Sequence, residues 1–187
     1  MTLTRTKHLK IFNDQSLSTD DLVEHLAIAH RSKFALHQLM KLGMEAIPAL
    51  RKGLCHENLN VRIGCCRVLD HFFDESSLPE LVSNLENDDP EVRMWTIHTL
   101  ACEKCKEGEC RPGEEFVIPK VVKMLLHDQN RKVRQMAAGM LGPSVHRSKI
   151  ALESIKYAHK NDIHPVVRKI CGWWIPGGAR YKKIKSK

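Results

Sequence analysis

The chain has 187 residues, 42% hydrophobic and only 5% aromatic, with a formal net charge of +8. That length supports one hydrophobic core without disulfide or metal help, while the few aromatics and the absence of alternating β-branched runs exclude a sandwich or barrel. No apolar run approaches the roughly 20 residues of a membrane-spanning helix.

The opening "MTLTRTKHLKIFNDQ" lacks the uninterrupted apolar segment of a secretory signal, so residues 1–17 are read as an N-terminal segment and the protein as cytoplasmic. Seven cysteines make an odd set, and Cys65 and Cys66 are adjacent inside a helical pattern, which fits reduced thiols better than a disulfide framework. The first predicted helix is "STDDLVEHLAIAH", with Ser18 and Asp21 placed to cap its N-terminus. "RSKFALHQLMKLG" follows, its Ala35, Leu36 and Leu39 forming an apolar stripe.

From there the same grammar recurs. The pairs Val61-Arg62, Val92-Arg93, Val133-Arg134 and Val167-Arg168 are spaced by 31, 41 and 34 residues. Three and four positions after each Arg stand small or apolar residues, and seven after it Leu69, Leu100, Leu141 or Ile175, which together make one helix face. A second helix follows each of the earlier copies, opened by Ile47-Pro48, Leu78-Pro79 or Ile118-Pro119, where proline suits the first turn; "SKIALESIKYAHKND" is its fourth copy. A period of two short helices predicts an all-α, right-handed helical solenoid of about four helix pairs plus a terminal half-repeat, spanning residues 18–178. In "NDDPEVR" the Asn/Asp cluster ends one helix and caps the next, which begins at Pro90. Because Asp128 and Asp162 each stand six residues before their Arg, as Asn87 does, Arg62, Arg93, Arg134 and Arg168 are expected to reach turn carboxylates and carbonyls in a polar ladder. The helix ending at Ile175 stops at "PGG", and residues 179–187 read as a disordered basic tail.

"LMKLGMEAIPALRKGLCHENLNVR", "NDDPEVR" and "VRQMAAGMLG" resemble the HEAT-like repeats of the bacterial bilin-lyase type over roughly residues 30–176. The resemblance implies the solenoid fold and a choice among scaffolds, cofactor lyases and, in divergent form, alkylpurine DNA glycosylases. Iron-dependent hydroxylases on such repeats use several His-Glu pairs; His56-Glu57 is the only one in this sequence.

Two places hint at chemistry. The 41-residue spacing reflects an insertion, "CEKCKEGECRPGEE", in which His98, Cys102, Cys105 and Cys110 have the composition of a Cys₃His zinc site, set against a flexible loop with incidental cysteines. His98 shares its slot with His37 and Arg67 and reads as solvent-facing. Trp95 and Trp174 fall in core slots, whereas Trp173 should either cap the open end of the stack or stack on a base. The second feature is charge. Residues 1–93 carry 11 Lys+Arg against 14 Asp+Glu, whereas residues 116–187 carry 16 against three. Lys120, Lys123, Arg131, Lys132, Lys156, Lys160, Arg180, Lys182, Lys183 and Lys185, with Trp173, are therefore candidates for binding nucleic acid or an acidic protein. The leading reading is a non-enzymatic scaffold. A base-modifying enzyme of the HEAT-like glycosylase type is the runner-up, and would need a carboxylate beside Trp173 or Tyr157; a bilin-lyase-like role would need a chromophore-handling partner.

Overall fold

A computed structural model describes residues 17–72, 74–102 and 112–185. Within them the secondary structure is helical: α1 (Thr19–His25), α2 (Ala29–Leu42), α3 (Ile47–Leu54), α4 (Leu59–Leu69), α5 (Leu78–Asn84), α6 (Pro90–Ala101), α7 (Glu114–His127), α8 (Arg131–Leu141), α9 (Lys149–Asn161), α10 (Pro165–Gly172) and α11 (Ala179–Lys185). None is long and apolar enough to cross a membrane. The even-numbered helices α2 to α10 stack in succession as one layer, and α3, α5, α7 and α9 follow them as the second helices of four pairs. This is a helical solenoid with a half-repeat at its end.

Local chemistry explains where each helix starts. Ser18 and Asp21 form a reciprocal capping box on α1, satisfying amide groups that have no intrahelical acceptor. Asn58, Asp89, Asn130 and His164 cap the first helices α4, α6, α8 and α10 through their side chains. Pro90 and Pro165 take the first helical position. Short 3₁₀ turns at Gly43–Ala46 and Glu75–Ser77 lead into α3 and α5, and Pro48 and Pro79 sit in their first turns. α7 departs from the expected start. It begins at Glu114, leaving Pro119 inside the helix. The lead-in turn is here continuous α-helix, with Glu114 and Glu115 facing the positive end of the dipole, at the cost of the backbone bond that proline cannot donate.

The repeated slots are the core. Val61, Val92, Val133 and Val167 are fully buried, as are Cys65, Cys66, Ile97, Ala137, Ala138 and Cys171. Small side chains at these positions let consecutive first helices approach closely: Thr99 of α6 donates its hydroxyl to the Cys66 carbonyl of α4 at 2.8 Å. Trp174 is buried as expected, lying so close to Gly142 that a Cβ there would run into the indole. Trp95 differs. It is half-buried on the flank of the core, with the Arg67 guanidinium 5.4 Å from its ring centre.

Burial also sets thiol chemistry. It pushes the Cys66 and Cys171 thiols up to about 12 and that of Cys65 well above its usual value, because a thiolate is poorly solvated there. We predict that a thiol reagent at pH 8 labels exposed Cys55 in the native protein and spares Cys65, Cys66 and Cys171 until denaturant is added. Mass-spectrometric mapping before and after unfolding checks this.

Candidate functional site

The turn arginines connect each repeat to the next. Arg93 donates from Nε and Nη2 to the two Asp128 carboxylate oxygens at 2.8 and 2.9 Å, and from Nη1 to the carbonyls of Asn87 and Asp88 at 2.7 and 3.0 Å. Arg134 repeats the pattern one step on, to Asp162 at 2.7 and 3.1 Å and to the carbonyls of Asp128 and Gln129 at 2.8 and 3.2 Å. Each guanidinium thus serves its own turn and grips the carboxylate of the following one. Asp128 and Asp162 also accept from the backbone of Asn130 and His164. The side chains of both aspartates and of Arg134 are less than a tenth exposed. Asp128 raises the Arg93 pKa through these bonds.

The two end rungs are different. Arg62 bonds the His56 and Cys55 carbonyls and reaches forward to Asn84 Oδ1 at 2.8 Å, not to the Asn87 that the register suggests. Asn84 is itself buried and donates to the Leu54 carbonyl. Arg168 bonds the Asp162 carbonyl at 2.6 Å and grips no carboxylate among the described residues. We predict that Arg134→Ala and Arg93→Ala cost about 3–5 kcal/mol, because each leaves a desolvated aspartate unpaired, lowering the thermal midpoint by roughly 6–20 °C for a domain of this size. Arg168→Ala should cost only about 1 kcal/mol. Thermal unfolding of the three variants tests this order.

The candidate binding residues separate into engaged and available groups. Lys123 pairs with Glu86 at 2.7 Å, Lys156 with Glu153 at 2.8 Å, and half-buried Lys120 lies over the Phe116 ring while donating to its carbonyl. Farther back, Lys52 pairs with Asp20 and Arg51 with Glu80. Glu80 and Glu86 thereby neutralise bases on both neighbouring repeats. Arg131, Lys132, Lys160, Arg180 and Lys183 are exposed and have no acidic partner among the described residues. Arg131 does lie 2.8 Å from the His164 ring. Lys182 is likewise exposed, and Lys185 ends α11.

The C-terminal segment is a correction. Residues 179–185 form α11, not a disordered tail. Gly177 takes φ +90°, a conformation that favours glycine, and turns the chain back. The amides of Arg180 and Tyr181 then bond the Trp173 carbonyl, each at 3.0 Å. Arg180 lies 5.2 Å from the ring centres of both Trp173 and Trp174, and Tyr181 packs on His146 with ring centres 4.1 Å apart. Trp173 is half-buried beneath this cover, an arrangement that closes the last repeat. Deleting residues 179–187 is therefore predicted to lower stability by about 1–2 kcal/mol, the order for one partly buried aromatic plus cation–π contacts. A red shift of tryptophan emission should accompany the lower thermal midpoint.

The predicted zinc ligands have a partial answer. Cys105 and Cys110 lie outside the described residues. His98 is not solvent-facing as expected: its side chain is 20% exposed and turned toward Asp70, with Nδ1 3.2 Å from Oδ2. Asp70, His98 and Cys102 bring one donor atom each within 4.8 Å of one another. Asp70 was not among the expected ligands, since it belongs to the preceding repeat and has no counterpart in the motif spacing.

Comparison with family models matches residues 19–101 to HEAT repeats. Residues 19–101 carry HEAT-like repeats. The match does not select the bilin-lyase type, and no curated protein matches the chain. Beyond residue 101 the helix pairs and the arginine turns continue the same repeat architecture.

Proposed function

We propose that this HEAT-repeat chain is a non-enzymatic scaffold whose C-terminal half docks an acidic macromolecule, either the phosphate backbone of a nucleic acid or an acidic protein segment. One observation carries the reading. All three acidic side chains of residues 116–187 are already committed internally: Asp128 to Arg93, Asp162 to Arg134 and Glu153 to Lys156. Of the remaining bases, Lys123 is held by Glu86 and Arg147 by Glu114, while Arg131, Lys132, Lys160, Arg180 and Lys183 have no acidic partner among the described residues, so the surface potential of that half is strongly positive. Tyr157, 61% exposed between Lys156 and Lys160, offers a ring face on which a base could stack.

The same commitments weigh against the glycosylase alternative, which requires a carboxylate free to face a cationic sugar beside an aromatic ring. Trp173 is covered by Arg180 and Tyr157 has only the engaged Glu153 on its helix.

Binding to duplex DNA, RNA and an acidic peptide is measured across a salt series. Replacing Arg131, Lys132 and Lys160 together with glutamine is expected to lower the salt slope by up to about three for a nucleic acid, roughly one per lost phosphate contact, without changing sequence preference. Binding of the acidic peptide alone identifies a protein partner. Failure to bind any of the three at low salt overturns the proposal.

A further inference from the structure

We propose that Asp70, His98 and Cys102 form a zinc site at the junction of α4 and α6, independent of the docking surface. The three are brought together by the stack. His98 and Cys102 are four residues apart at the end of α6, so they share a face, and Asp70 is the C-cap residue of α4 in the preceding repeat, as Cys102 is of α6. Two helix C-termini therefore point their negative ends at one spot, a field that favours a cation.

The donor set matches the metal. A carboxylate, an imidazole and a thiol are all zinc ligands, and a thiol discriminates against magnesium and calcium. With Cys102 ionised and its proton released to solvent, the two anionic ligands balance Zn²⁺ while His98 contributes a neutral lone pair. Burial suits this neutralised set: Asp70 is 3% and Cys102 7% exposed. His98 Nδ1 is buried and lies 3.2 Å from Asp70 Oδ2, so the imidazole and the carboxylate already face each other. Zinc bonds of about 2.0–2.3 Å place tetrahedral donors about 3.3–3.8 Å apart, so a closure of about 1 Å from the observed spread completes the geometry. Three protein ligands leave a fourth position for water.

The metal would pin the ends of consecutive first helices beside the long insertion, and by linkage it stabilises the folded chain. The test uses the full chain, stripped of metal under reducing conditions and titrated with Zn²⁺ and Co²⁺. About one equivalent of zinc should bind and raise the thermal midpoint, and cobalt should develop thiolate charge-transfer absorption. Asp70→Asn, His98→Gln and Cys102→Ser should each weaken zinc binding more than about 100-fold, beyond the loss typical of outer-shell partners, with helix content checked by circular dichroism. A Cys105→Ser/Cys110→Ser double variant should keep the metal. The cobalt spectrum of the unaltered chain reads thiolate ligation even where a variant does not fold. No zinc bound at micromolar concentration, unchanged affinity in Asp70→Asn, or loss of metal from the double variant would each overturn the site.

Discussion

The guanidinium fork at the turn of each repeat is the interaction on which the remaining structure depends. A helix ends with carbonyls that its own backbone cannot satisfy, and in a stack the turn carrying them is pressed against the next repeat. Arg93 and Arg134 meet both needs at once, bonding their own turn through Nη1 and the following turn through Nε and Nη2. A planar, permanently charged group with five donors can do this; a lysine ammonium cannot span the same fork. The bonds cross from one repeat to the next, so they fix the stagger of neighbouring helix pairs as well as the conformation of each turn.

This constraint has an electrostatic consequence. The ladder is ionic only in the C-terminal half, where Asp128 and Asp162 supply the carboxylates; between the second repeat and its predecessor Asn84 does the same work without charge. The half with the most basic side chains is thus also the half in which two of the three acidic ones, Asp128 and Asp162, are locked inside. In the N-terminal half the balance is struck differently, with Asp20, Glu80 and Glu86 bracing bases on adjacent repeats. Exposed pairs of this kind contribute little stability, but they lower the surface charge where they occur. The charge asymmetry of the chain therefore becomes an asymmetry of its surface.

The two edges of the stack have different characters. Along the edge where second helices turn into first helices, the geometry is repeated and the polar groups are engaged in the ladder. Along the opposite edge the turns vary: a glycine with φ +58° after α2, the Asp70, His98 and Cys102 cluster at the end of α4 and α6, and α11 folded over Trp173 at the end. Repeats tolerate variation where no ladder must be maintained. Chemistry particular to this chain accordingly collects there.

Much of this was legible in the amino-acid sequence, because the signals were local. Caps such as Ser18 and Asp89, the proline starts, the buried valine before each arginine and the small residues three and four positions later all follow from helix geometry within a single repeat. The period of the Val-Arg pairs then required a stack. What the tertiary structure alone decided were contacts between residues about 20 to 37 positions apart: Asn84 in place of Asn87 as the partner of Arg62, Glu86 holding Lys123, Asp70 joining His98, and Tyr181 returning to His146. Periodicity states which face of a helix is buried. It does not state how far one repeat is shifted against the next, and that shift selects which side chains meet across the boundary.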